Sequence, residues 1–61
     1  MLQYFKSILL KVSFDAQLFE KELRKAIKSL VNEELVELKK WCFEQFGLQY
    51  GEILRLNFRV A

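Results

Sequence analysis

The chain has 61 residues, ten Lys or Arg against eight Asp or Glu for a formal charge of +2, 52% apolar residues, one cysteine and no histidine or proline. One domain of this size buries only about 60% of the surface its unfolded chain exposes, and usually relies on disulfides, a metal or another subunit. With Cys42 alone and no histidine, an intrachain disulfide and the common zinc arrangements are excluded, which leaves association. The apolar fraction exceeds the roughly 45 to 50% of ordinary globular chains, although a small protein has less interior in which to place such residues. A charge of +2 implies no polyanionic partner by itself. No apolar run approaches the roughly 20 residues needed to span a bilayer, and the amino end lacks a signal-peptide pattern, so a soluble, cytoplasmic protein is expected.

In chain order, the first segment, MLQYFKSILLKVSF, fits a helix that groups Leu2, Phe5, Ile8, Leu9 and Val12 and turns Gln3, Lys6, Ser7 and Lys11 away, with Leu10 misplaced. It also fits a strand alternating Ile8, Leu10, Val12 and Phe14. Residues 15–31 form an amphipathic helix: Ala16, Phe19, Leu23, Ala26, Ile27 and Leu30 fall in one stripe, and only Leu18 lies off it. Asp15 is its expected N-cap, with Glu20 and Glu22 early and Arg24, Lys25 and Lys28 late, an order that suits the helix macrodipole.

A second central helix is expected over 33–46, with Asn32 as N-cap and Gly47 just past its end. A single rod over 15–46 is excluded by phase, because the stripe of Leu35, Leu38, Cys42 and Phe46 is rotated by about a quarter turn from that of the first helix. A short turn at Val31 and Asn32 accounts for the rotation. The carboxyl end, ILRLNFRVA, is again ambiguous. As a helix it stacks Tyr50, Leu54, Phe58 and Ala61 opposite Glu52, Arg55 and Arg59, whereas as a strand it aligns Leu54, Leu56, Phe58 and Val60.

The expected fold is therefore all-α, a small bundle of three or four short helices around a central helical hairpin. The alternative is α+β, strand-helix-helix-strand, with the sheet completed by dimerisation because two strands alone are marginal in water.

The chemical inventory is thin. Without histidine there is no usual base near neutral pH, and Ser7, Ser13 and Ser29 have no partner at nucleophile spacing, so no enzyme, cofactor or small-molecule substrate is expected. Cys42 lies on an apolar stripe and is expected to be buried and inert. Glu33, Glu34, Glu37 and Glu44 form a solvated acidic face with no metal loop. Lys21, Arg24, Lys25 and Lys28 make a basic strip on the wet face of the first central helix, which Lys6, Lys11, Arg55 and Arg59 would enlarge if the fold brought them near. Such a strip can neutralise phosphates, and a small RNA- or DNA-binding factor is the alternative function. A helix-turn-helix is disfavoured, because the would-be recognition helix carries four glutamates against Lys39 and Lys40.

Residues 33–46 are apolar on more than one side. Val36 and Phe43 extend the stripe and Trp41 projects elsewhere, so these three are the candidate protein interface, either with another copy of the chain or with a larger assembly. The competing reading is that the terminal segments fold over them.

Overall fold

A computed structural model describes residues 1–59, and the stacking positions Val60 and Ala61 lie outside the described residues. Among these, the chain is all-α, with α1 at Leu2–Lys11, α2 at Ala16–Ser29 and α3 at Asn32–Phe58. Both ambiguous ends are helical, so the strand-based alternative does not hold for them.

Each turn between helices has a local cause. Ser13 Oγ donates to the Leu10 carbonyl at 3.0 Å and satisfies one of the acceptors left over at the end of α1. Two residues later the extended Asp15 receives the backbone N–H groups of Gln17 and Leu18 on Oδ1, at 2.9 and 3.2 Å. This is the N-cap that Asp15 was expected to provide. The second reversal is made by Leu30 and Val31, both extended, one residue earlier than the sequence suggests. Asn32 consequently falls inside α3 rather than capping it. Val31 takes the N-cap position with no side-chain cap, and Glu33 and Glu34 in the first turn offset the positive helix end.

The largest departure is at Gly47. It does not end a helix: neither glycine has a positive φ, and α3 continues through Gly47 and Gly51 to Phe58. A straight helix of that length would measure about 40 Å at 1.5 Å per residue, whereas the molecule spans only 26 × 21 × 18 Å. The conflict is resolved at Tyr50, whose φ of −127° and ψ of 26° depart from helical values inside α3. Beyond this bend the chain returns, and Phe58 lines the same groove as Asn32, Leu35, Val36 and Lys39 near the start of α3. The two arms of α3, 32–49 and 51–58, therefore serve as the third and fourth members of the bundle.

Among the described residues, twelve buried ones form one core. Phe5 and Leu9 come from α1, Phe19, Leu23 and Ala26 from α2, Leu30 from the reversal, and Leu38, Cys42, Phe46, Tyr50, Leu54 and Phe58 from α3. At its centre Phe19 stacks on Tyr50 at 4.5 Å between ring centroids and meets Phe46 edge-on at 4.9 Å. Outside the core, Asn57 ties the second arm to α2 by donating to Glu20 Oε2 at 3.0 Å and accepting from Arg24 Nε at 3.1 Å.

Two substitutions test this arrangement. Nothing lies within 4 Å of a Cβ added at Gly47, so Gly47→Ala should raise stability in urea by about 0.5–1 kcal/mol, the helix-interior preference for alanine over glycine. A loss of stability would restore the helix-ending role. Phe19→Ala should remove about 3–5 kcal/mol and abolish the cooperative thermal transition followed by circular dichroism.

Candidate functional site

The three anticipated interface residues do not come together. Val36 and Phe43 are seven residues apart and share one side of α3, with Val36 70% exposed and Phe43 37%. Trp41 lies about 140° round the helix from Val36 and faces α1. Its indole meets Phe46 edge-on at 5.6 Å, and the Lys6 ammonium sits 5.6 Å from its centroid while pairing with Glu37 Oε2 at 3.6 Å. Trp41 is thus partly buried against the protein's own core, covered on one side by a cation.

Other exposed apolar residues flank, in sequence, the turn between α1 and α2 and the bend of α3. The Ser13 carbonyl accepts a hydrogen bond from Gln49 Nε2 at 3.3 Å and another from the Tyr50 hydroxyl, so the turn and the bend of α3 meet at one end of the molecule. Phe14 beside Ser13 is 79% exposed, and Leu48 beside Gln49 is 106% exposed, as open as in an extended chain. Leu10 in the last turn of α1 and Leu18 in the first turn of α2 are exposed as well. Single apolar residues at a surface are ordinary; Phe14 and Leu48 stand out because each adjoins, in sequence, one partner of the hydrogen bond that joins the turn to the bend, Ser13 and Gln49.

Two of these exposed residues carry a sequence signal, since Leu10 and Leu18 are the residues that fail to fit the apolar stripes of their helices. Phe14 precedes an N-cap, where it would pack on Phe19 four positions into α2 if a hydrophobic staple formed; its exposure shows that it does not. Leu48 had no such signal, because its position depends on α3 continuing past Gly47.

The basic strip is present on one face of α2. Lys21, Arg24, Lys25 and Lys28, with Gln17 and Glu20, line an open groove of about 330 Å³. Two of its charges are already engaged: Arg24 with Glu20 at 3.3 Å and with Asn57, and Lys25 with Glu22 at 3.5 Å. Lys6 does not enlarge the strip, being drawn to Glu37 and Trp41. Among the described residues no cluster of three or more potential metal ligands occurs, and no helix is long and apolar enough to cross a membrane.

No protein-family model, curated protein or solved structure matches the chain.

Cys42 is buried between Leu38 and Phe46 on the inner stripe of α3. Burial pushes its thiol up to about 12, against a smaller lowering by the Lys6 charge. The thiolate, which is the nucleophile, is therefore suppressed in the folded protein. Cys42 should resist a disulfide reagent at pH 8 until denaturant is added. The unfolded thiol releases its proton near pH 8.5 while the folded one holds it to about 12. Between these values the unfolded state binds fewer protons, so stability falls as pH rises through that window. Urea titrations across alkaline pH should show this slope, reduced in Cys42→Ala.

Proposed function

We propose that this protein is a non-enzymatic interaction module, which self-associates or docks as a small subunit on a larger protein assembly through the end where Ser13 meets Gln49 and Tyr50. The observation that carries the reading is the exposure of Phe14 and Leu48, the sequence neighbours of the hydrogen-bonded Ser13 and Gln49. Aromatic and aliphatic anchors of this kind supply most of the affinity of protein interfaces when another surface removes them from water. Val36 and Phe43, on the outer side of the first arm of α3, are a secondary contact, and Trp41 contributes only where its edge is open.

The alternative, an RNA- or DNA-binding factor acting through Lys21, Arg24, Lys25 and Lys28, is less well supported. Arg24 and Lys25 already have acidic partners within the chain, and each phosphate contact would compete with one of these pairs.

Phe14→Ser with Leu48→Ser leaves the core untouched. The double variant should keep the helical circular dichroism spectrum and weaken self-association, or affinity for a partner that the parent retains through purification, by about 10- to 100-fold. Sedimentation velocity and co-purification of the two proteins side by side would measure it. Unchanged association by both methods would reject this end as the contact.

A further inference from the structure

We propose that residues 51–58 exchange between two copies of this chain, α3 straightening at Tyr50 so that each second arm completes the core of the other protomer. This rests on the self-associating form of the reading above, and names the segment that would carry it.

The bend is confined to one residue. On both sides of Tyr50 the chain is helical, Gly47 and Gly51 have no positive φ, and nothing crowds either glycine. Bringing Tyr50 from φ −127° and ψ 26° to ordinary helical values needs a rotation of about 65° in each angle. No proline stands in the way. The result is a continuous helix of about 40 Å, longer than any dimension of the closed molecule, which carries the second arm clear of its own body.

The occupant is fixed by what the arm leaves behind. Its departure uncovers the places filled by Leu54 and Phe58 in the core and frees Glu20 and Arg24 from Asn57. The segment whose residues fit those places, in that order, is the same arm of a second copy. Contacts within the arm's own docking site are then remade between chains, so the balance is set by the hinge and by protein concentration, the condition under which exchange is a low-cost route to dimers. A connection with no intervening loop between the two arms favours it further. At the hinge itself the bend is held by the stack of Tyr50 on Phe19 and by the hydrogen bonds from Gln49 Nε2 and the Tyr50 hydroxyl to the Ser13 carbonyl.

The test places cysteines on either side of the arm's docking site, Glu20→Cys with Asn57→Cys, in a Cys42→Ala background. Monomer and dimer fractions are separated by size-exclusion chromatography over a range of concentrations and treated with a short bismaleimide. Denaturing electrophoresis should show cross-links within one chain for the monomer and between chains for the dimer. In the otherwise native chain, Gln49→Ala with Tyr50→Phe should raise the dimerisation constant about tenfold or more, the size expected from losing two hydrogen bonds.

A dimer whose cross-links stay within each chain would overturn the exchange and leave self-association through exposed surface intact. A strictly monomeric hinge variant at every concentration would also overturn it, while docking on another protein is judged separately through Phe14 and Leu48. If the cysteine variant fails to fold, the hinge variant decides alone: a raised dimer fraction supports exchange and an unchanged one rejects it.

Discussion

The fold depends on the turn that α3 makes at Tyr50. Without it the 27-residue helix would project from a molecule only 26 Å in its longest dimension, leaving Leu54 and Phe58 with no core to enter. Tyr50 serves both sides of the turn. Its ring stacks on Phe19 in the interior, and its hydroxyl reaches the Ser13 carbonyl at the reversal between α1 and α2. A polar tip on an apolar body suits this position, because the ring adds buried area while the hydroxyl satisfies a carbonyl that no helix uses. The bend, the turn and the aromatic centre are consequently fixed by overlapping contacts, and the small core is continuous from Phe5 to Phe58.

What could be read from the sequence follows the range of the interactions involved. Asp15 was legible because an N-cap is decided within four residues. The inward stripes of α1 and α2 were legible because one apolar face per helix suffices to bury it. Gly47 was not, because glycine both ends helices and sits inside them, and the choice lay with residues further along. Leu38, Cys42, Phe46, Tyr50, Leu54 and Phe58 are all buried at a strict spacing of four. Each step of four advances about 40° round a helix, so by Phe58 a straight rod would present nearly the opposite side from Leu38. A repeat of that length on one helix implies either a buried face that spirals or a bend that resets it, and here the bend at Tyr50 does so. Each terminal segment also fitted a strand locally; neighbours distant in sequence selected the helix.

The charged residues show the same dependence on distant contacts. Lys6 belonged, by position in the sequence, to a diffuse basic surface. In the fold its stem lies against α3 and its ammonium is shared between Glu37 and Trp41, an arrangement in which a long cationic side chain covers apolar surface while keeping its head near a carboxylate. Arg24 is likewise held by Glu20 and Asn57 across the junction of α2 with the second arm of α3. Exposed pairs such as these contribute little to stability individually. Their effect is on the field: a strip that reads as four cations in sequence is partly neutralised once the helices are packed.

The apolar residues left outside the core are also explained by geometry. A helix buries a stripe only where another element runs alongside it, and the three helices of the described residues provide few such positions. At the ends of helices, where the chain reverses, no element lies above the side chains. Phe14 stands at such a place beside the capped start of α2, and Leu48 stands at another, two residues before α3 turns. Polar residues would satisfy the local backbone geometry at both positions equally well, since both side chains are largely exposed. Large apolar groups at the points where this fold has no interior to offer them therefore add little to the protomer's own burial, and on the proposed function their contribution would come from a second surface that covers them.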